Sequence, residues 1–329
     1  MNSFHPAQYQ GKPLPDLLSR LAGAEAGEVW AAWQGRVELY SAVDEALEAT
    51  LSRPGTLLST LSETYLPEDH PEVDVPGVLL ETYLGGGGQG WVYAGRVRDT
   101  NRVVAVKVLR GEYVQAQGKA AREALLCARV RHRNVLRVFQ TQPAGAFWVM
   151  IMELVQGPEL NAEFVQADQA RRTFGQLADA LRAVADAGIV HRDIKPANIL
   201  IRQQDRSPVL VDFGLAVDLR DVEHETVEVS GTPFFMPPEA FESKPPEPSW
   251  DAYSLGVTAA ALLARPGNGY TNLLKLRTAK LSGEFDQQVR QALGQIETVE
   301  LRTWIDDLLS DDRQRRLAAV EIARAWRGK

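Results

Sequence analysis

The residues from His191 to Asn198 read His-Arg-Asp-Ile-Lys-Pro-Ala-Asn and place an acid, a cation and an amide on one short loop. Asp193 can accept a proton from an attacking hydroxyl group. Lys195 can stabilise negative charge on a group in transfer, and Asn198 can offer an oxygen to Mg²⁺, which prefers hard oxygen ligands. Nineteen residues after Asp193 comes Asp212-Phe213-Gly214, directly behind an apolar run. We therefore expect a second acid at the end of a buried strand.

These two motifs together resemble the catalytic core of eukaryotic-like serine/threonine protein kinases. The resemblance covers about residues 78–329. It implies an α+β fold with two lobes, a small and mainly antiparallel β lobe with one helix and a larger helical lobe. The expected limits are 77–153 for the first lobe and 154–329 for the second. An acidic α-helical extension with a linker is expected at 1–76.

A glycine-rich stretch at the start of the first lobe supports the resemblance. Gly85, Gly87 and Gly90 fit the pattern Gly-x-Gly-x-x-Gly, with Val92 two residues further on. Glycines allow backbone N–H groups to approach phosphates closely. A dinucleotide-binding fold has the same spacing, but a helix should then follow the glycines. Residues 91–97 instead alternate as a β-strand does.

Lys107 ends a Val-Ala-Val-Lys run in a strand that is otherwise apolar. A buried lysine needs anionic partners. The resemblance implies that these are the α- and β-phosphates of ATP and Glu123, on a helix predicted at 115–130. Cys127 lies four residues after Glu123 on the same helical face. We expect it to be a buried packing residue near Phe213 and His191, not a nucleophile.

The resemblance also implies an adenine pocket. Met152 would lie at its back, and the backbone of Glu153 and Val155 would bind the adenine edge. Ala105 and Val92 would cover one face of the base and Leu200 the other. The nucleotide-binding residues implied are Leu84, Gly85, Gly87, Gly90, Val92, Ala105, Lys107, Met152, Glu153, Val155 and Leu200.

The catalytic roles follow from the same resemblance. Asp193 would position the substrate hydroxyl, with Lys195 beside it and Lys107 paired to Glu123. Asn198 and Asp212 would hold Mg²⁺, for which Mn²⁺ could substitute.

Residues 212–239 have the length of an activation segment. Arg192 could pair with a phosphate on Thr226 or Ser230. Residues 231–239, which include Thr232, resemble the segment that ends in Pro-Glu in the family, although Phe235 and Pro237 replace its tyrosine and alanine. By the same resemblance Glu239 would pair with Arg315, and Asp251 would bind the backbone of the catalytic loop.

The composition restricts the partners. The net charge of −7 argues against general binding to nucleic acid. The single cysteine excludes an intrachain disulfide and is typical of a reducing compartment. The sequence has no run of 18 apolar residues and no signal-like start, so we expect a cytoplasmic protein without a membrane span.

Residues 1–76 hold 12 acids and 4 lysines or arginines. Their apolar side chains, from Trp30 to Leu51, recur at steps of three or four, which is typical of one helix face. This face could pack against the neighbouring lobe or within its own helices. It could also be a docking surface, for a regulatory partner or for self-association.

The predicted function is ATP- and Mg²⁺-dependent transfer of the γ-phosphoryl group to serine or threonine hydroxyls of proteins, including autophosphorylation. Lys195 and Thr232 resemble the serine/threonine branch of the family, not the tyrosine branch. Two alternatives remain: a nucleotide-binding scaffold with little turnover, and a small-molecule phosphotransferase of related fold. Regulation would act through the N-terminal helices or through a partner.

Overall fold

The computed structural model describes residues 70–87, 90–109, 117–166, 168–221, 231–242, 244–266, 270 and 272–328. The helices predicted within 1–69 lie outside the described residues. The chain divides into two compact units. Met1–His70 and Tyr270–Leu276 form one, and all other residues form the second. In the described part of the first unit, the side chain of Asn272 accepts a hydrogen bond from the backbone N–H of Lys275 at 2.8 Å.

The second unit begins with an antiparallel sheet of five strands in the order β1-β2-β3-β5-β4. Its strands are β1 (Val78–Gly87), β2 (Gly90–Val97), β3 (Val103–Leu109), β4 (Val138–Ala144) and β5 (Phe147–Met152). One helix, α1 (Gln117–Arg129), connects β3 to β4. Strand β1 continues to Gly87, because the glycines themselves pair across the hairpin, Gly87 opposite Gly90.

Residues directly before β1 also pack on this sheet. Val75 is almost fully buried in the apolar cluster that contains Val78 and Tyr93. The hydroxyl of Tyr93 donates to the backbone oxygen of Pro71 at 3.1 Å. The side-chain amide of Gln142 donates to the oxygen of Pro76 at 2.7 Å. Residues 71–76 are therefore attached to the sheet.

The larger lobe is helical. Its helices are α2 (Asp168–Asp186), α3 (Pro248–Leu263), α4 (Leu273–Ser282), α5 (Glu284–Leu293), α6 (Val299–Leu308) and α7 (Arg313–Arg324). Helix α3 is buried from Ser249 to Ala260 and forms the centre of the lobe. Helix α2 ends at Asp186, and Gly188, two residues further on, has φ +71°, a backbone conformation that glycine adopts readily.

Two short antiparallel strand pairs position the predicted catalytic loop. β6 (Ile189–Val190) pairs with β9 (Val217–Asp218), and β7 (Ile199–Ile201) pairs with β8 (Pro208–Leu210). The residues from 191 to 198 connect β6 to β7, and the residues from 211 to 216 connect β8 to β9. The pairing therefore brings the two acidic motifs together.

This arrangement confirms the predicted two-lobed α+β fold. Among the described residues, the longest and most apolar helices still fall short of what a bilayer crossing requires.

Candidate active site

The catalytic loop is held by a buried carboxylate on α3. Asp251 accepts the backbone N–H of His191 at 2.7 Å with one oxygen and that of Arg192 at 2.9 Å with the other. The expected contact between Asp251 and this loop is therefore present. Burial raises the pKa of Asp251, although the two N–H donors and the nearby His191 and Arg192 act against that rise.

Four polar side chains meet at the centre of the loop. The Asn198 amide donates to Asp193 Oδ2 at 2.7 Å, and Lys195 Nζ lies 2.8 Å from the same oxygen. Asp193 Oδ1 accepts the hydroxyl of Thr232 at 2.9 Å and its backbone N–H at 3.2 Å. Lys195 Nζ also donates to the Thr232 hydroxyl at 2.7 Å. Both carboxylate oxygens of Asp193 are thus held in fixed directions.

A second charged group joins the two lobes. Lys107 Nζ, in the buried strand β3, lies 2.7 Å from Glu123 Oε1 and 3.2 Å from Asp212 Oδ1. Burial acts to lower the pKa of Lys107, but attraction to the two carboxylates outweighs it, so the pKa of Lys107 is raised. The ammonium group is therefore charged and bridges α1 to the loop after β8.

Asp212 is fixed from several sides. It has φ +61°, a conformation that is uncommon for a residue other than glycine. Burial acts to raise the pKa of its carboxyl group, but the charge and the hydrogen bond of Lys107 leave that pKa lowered. The next residue, Phe213, packs its ring at 4.8 Å from the ring of His191, and His191 Nε2 lies 3.1 Å from the oxygen of Val211. Asp212 is therefore a carboxylate aimed at Lys107.

The residues of the predicted adenine pocket lie around β3, β5 and β7. Met152 and Ala105 are buried and directly opposite each other in the β3–β5 pairing. The backbone N–H of Glu153 donates to the oxygen of Arg137 at 2.9 Å, so only its carbonyl oxygen could contact a nucleotide. The other members differ in exposure: Val155 is buried, Val92 and Leu200 are half-buried, and Leu84 is exposed.

The glycine hairpin lies at the end of the same sheet. Gly85 and Gly90 have φ +154° and +157°. A Cβ on Gly90 would come within 2.1 Å of the backbone oxygen of Val108, so a larger residue does not fit there. The tip of the hairpin, residues 88 and 89, lies outside the described residues.

The candidate phosphorylation sites Thr226 and Ser230 also lie outside the described residues. Arg192, their predicted partner, has φ +65° and donates through Nε to the oxygen of Leu215 at 2.7 Å. Arg192 is therefore beside the start of the activation segment.

The predicted pairing of Glu239 with Arg315 is wrong, because Arg316 is the partner. Arg316 is 1% exposed, forms the ion pair with Glu239, and donates through Nε to the oxygen of Ser310 at 2.6 Å. Arg315 instead faces Asp307 at 2.5 Å on the surface. Consecutive helical residues point about 100° apart, so only one of two adjacent arginines can face inward. The inward face was readable as Arg316, Ala319, Val320 and Ala323, at steps of three, one and three.

A contact between α1 and the activation segment was not predicted from the sequence. Arg129, in the last turn of α1, forms an ion pair with Asp218 in β9 at 2.5 Å. Arg220 donates to both oxygens of Asp218 at 3.0 and 2.6 Å. These hydrogen bonds, together with Arg129, lower the pKa of Asp218 against the effect of burial. No motif marks these residues, since Arg129 and Asp218 are 89 positions apart.

The lysine-centred ion pairs, the Asp193 cluster and the two-lobed fold define the chain as a phosphotransferase of the protein-kinase class. Residues 79–326 match the family model described as the protein kinase domain. The chain therefore belongs to the protein kinase family.

Several curated relatives bear the same family name. The chain is 34% identical over 231 residues to the serine/threonine-protein kinase PkaA of Streptomyces coelicolor, covering 63% of this chain and 42% of that protein. It is 34% identical over 197 residues to the serine/threonine-protein kinase pkn2 of Myxococcus xanthus, covering 55% of this chain and 23% of that protein. Sperm motility kinase 2B of Mus musculus is 31% identical over 252 residues, covering 74% of this chain and 50% of that protein. The matched regions thus span half or less of these relatives.

Replacing Arg316 by methionine should lower the free energy of unfolding by about 3–5 kcal/mol, because Glu239 would remain as a buried, unpaired charge. The control is Arg315→Met, which removes an exposed arginine one position away and should change the stability little. Denaturant unfolding of both variants measures the difference. Equal losses in the two variants would contradict the assignment of Arg316 as the buried partner.

The thiol of Cys127 is buried and donates to the oxygen of Leu136 at 3.2 Å. Burial raises the pKa of Cys127 to about 12 from a reference value of 9.0. Between these two values the unfolded chain loses the thiol proton and the folded chain keeps it, so this group's contribution to stability decreases as pH rises.

The free energy of unfolding of Cys127→Ala, relative to that of the wild type, should therefore increase at high pH. The stability difference between the two proteins should shift towards the alanine variant by up to about 1.4 kcal/mol per pH unit above pH 9. Urea unfolding at pH 8, 9 and 10 measures this shift. A difference that stays constant across these pH values would show that the thiol ionises equally in both states.

Proposed function

We propose that the chain transfers the γ-phosphoryl group of ATP to serine and threonine hydroxyls of proteins, including its own. One observation carries the proposal. A threonine hydroxyl, that of Thr232, already lies 2.9 Å from Asp193 and 2.7 Å from Lys195. A carboxylate and an ammonium group that bind a hydroxyl in this way are suited to accept and orient a substrate hydroxyl.

The proposed reaction is an in-line displacement. The hydroxyl proton passes to a carboxylate oxygen of Asp193 while the hydroxyl oxygen forms a bond to the γ-phosphorus. The bond between this phosphorus and the oxygen bridging to the β-phosphate breaks, and ADP leaves with that electron pair. Lys195 stabilises the negative charge on the phosphoryl oxygens.

Lys107 would bind the α- and β-phosphates while Glu123 holds it in place. Glycine backbone N–H groups at Gly85, Gly87 and Gly90 would contact the phosphates from the hairpin. Adenine would lie between Ala105 and Val92 on one side and Leu200 on the other, with Met152 behind it. The carbonyl oxygen of Glu153 and the backbone of Val155 would bind its edge.

Asn198 and Asp212 fit a magnesium site shared with the nucleotide. The Asn198 amide nitrogen is bound to Asp193, which leaves the oxygen of this side chain as the atom to face a cation. Among the described residues no cluster of three or more His, Cys, Asp or Glu is placed to hold a metal ion by itself. Mg²⁺ is commonly held by one or two protein oxygens together with substrate phosphates, where it neutralises phosphate charge. Mn²⁺ would substitute.

The serine/threonine specificity is supported by Lys195 and Thr232 and by the printed names of the relatives. A small-molecule phosphotransferase does not require the segment that ends at Glu239, which is anchored here by the buried Arg316. A scaffold without turnover does not require the complete charged set around Asp193 and Lys107. We therefore rank both alternatives below protein phosphorylation.

We also propose that residues 1–76, the region ahead of lobes at 77–153 and 154–329, contain a regulatory extension; their last six residues, 71–76, pack on the sheet of the first lobe. The support is its charge, since it holds 12 acids and 4 basic residues. Its aromatic and aliphatic spacing supports a docking face for a partner or a second copy. The single cysteine supports a cytoplasmic location. Thr226 or Ser230 would be phosphorylated and bound by Arg192.

Asp193→Asn should lower the rate of phosphoryl transfer about 10²-fold or more, because the amide cannot accept the hydroxyl proton. The control is Asp186→Asn, which changes an exposed acid at the end of α2 and should retain full activity. Transfer from radiolabelled ATP with Mg²⁺ to a mixed protein substrate, followed by phosphosite mapping, measures both. Undiminished transfer by Asp193→Asn would refute the assigned role.

Removing residues 1–70 should change the rate of phosphoryl transfer, because an extension that docks on the kinase lobes alters access or alignment. The cut is placed after His70 because Val75 belongs to the core of the sheet. The measurement compares initial rates of the full chain and of residues 71–329 at one temperature, well below the melting temperatures of both proteins. Identical rates would refute the regulatory role of the extension.

A further inference from the structure

A buried lysine lies outside the catalytic and nucleotide-binding residues. Lys280, on α4, is 1% exposed. Its ammonium group donates to the hydroxyl of Tyr253 at 3.0 Å. The same group lies 3.5 Å from the centre of the Phe285 ring and 4.7 Å from that of the Tyr253 ring. A cation in contact with aromatic faces is stabilised by cation–π attraction.

Tyr253 connects this lysine to a buried acid. The Tyr253 hydroxyl donates to Asp286 Oδ1 at 2.5 Å while it accepts the hydrogen bond from Lys280. All three side chains are at most 3% exposed. Burial lowers the pKa of Lys280 and raises the pKa of Asp286. An apolar trio of similar volume would avoid the cost of burying these polar groups.

The buried group of Lys280, Tyr253 and Asp286 is connected through Phe285 to the aromatic side chains of residues 231–239. Phe285 packs its ring against that of Phe234, with 5.2 Å between centroids and 81° between planes. Phe234 in turn packs against Phe235 at 5.2 Å. Phe234 is two residues after Thr232, whose hydroxyl contacts Asp193. The position of the Phe234 ring thus depends on the ring that lies under Lys280.

Tyr253 also touches the anchor at the far end of this segment. The guanidinium of Arg316, which pairs with Glu239, lies 4.9 Å from the centre of the Tyr253 ring. The neighbouring Ser254 donates to the oxygen of Phe235 at 2.8 Å. Residues 231–239 are therefore held in the middle, at Phe234 and Phe235, and at the far end, at Glu239.

We propose that Lys280 is a positioning residue for the protein substrate. With Tyr253 and Asp286 it fixes Phe285, and through Phe285 it holds Phe234 and the backbone of residues 231–239. The proposal rests on the proposed function, because it assigns these residues to the protein-binding side of the reaction. It predicts an effect on the protein substrate and not on ATP, since Lys280 lies on α4 of the larger lobe whereas Lys107 and Glu123 lie on β3 and α1 of the smaller lobe.

Lys280→Met tests the proposal, because it keeps the length and removes the charge and the hydrogen bond. The matched control is Lys275→Met, the same change at an exposed position on the same helix. Tyr253→Phe is the second test variant, since it keeps the ring and removes only the bridging hydroxyl. If Lys280→Met does not fold, Tyr253→Phe decides in its place.

The first measurement is amide hydrogen exchange over residues 231–239, which needs no enzymatic activity. We expect exchange about tenfold faster in Lys280→Met and in Tyr253→Phe than in the wild type or in Lys275→Met. The amides of Phe235 and Met236, bonded to Thr232 and Pro233, are the reporters. Unchanged exchange in folded test variants would overturn the proposal.

The second measurement is steady-state kinetics with dephosphorylated casein. We expect KM for casein to rise about fivefold in Lys280→Met, with KM for ATP and kcat changed less than twofold. Adding Phe234→Ala to Lys280→Met should raise KM for casein little further, because both changes act through one contact. Fully additive effects, or an equal rise in KM for ATP, would overturn the positioning role. Absence of transfer by the wild type would instead refute the proposed function, while the exchange result still decides the inference.

Discussion

The carboxylate of Asp251 is the constraint on which the catalytic centre depends. It accepts the backbone N–H groups of His191 and Arg192 and thereby holds the loop that carries Asp193. Arg192 has φ +65°, which costs a non-glycine residue of the order of 1 kcal/mol unless its surroundings compensate. Asp251 cannot retreat to solvent, because α3 is buried around it. A charged group at the centre of the larger lobe thus sets the shape of a loop at its surface.

The second requirement is that the two lobes meet at Lys107. Lys107 comes from the sheet, Glu123 from α1 and Asp212 from the larger lobe, and they converge within 3.2 Å. The pair formed by Arg129 and Asp218 adds a further connection from α1 to β9. A displacement of α1 would therefore change the surroundings of Lys107 and of the activation segment together.

Element types were predictable where residue pattern and local chemistry agree. The glycine hairpin and the strand that carries Lys107 both follow from residue type and alternation. Boundaries were less predictable. Strand β4 continues through Pro143, although proline usually ends a strand, because β4 lies at the edge of the sheet and its missing N–H is tolerated there.

The sequence alone determined the acids, the amide and the lysines of the candidate site, since their order and spacing within 107–212 are specific to one family. It could not determine which of two adjacent arginines faces Glu239, because this depends on the rotation of α7 against α3. It also gave no sign that Lys280, Tyr253 and Asp286 meet, since α4, α3 and α5 approach one another only in the folded lobe. The sequence thus determined the chemistry that the chain carries. The tertiary structure decided which charges are buried and what they support, because burial depends on the packing of distant elements.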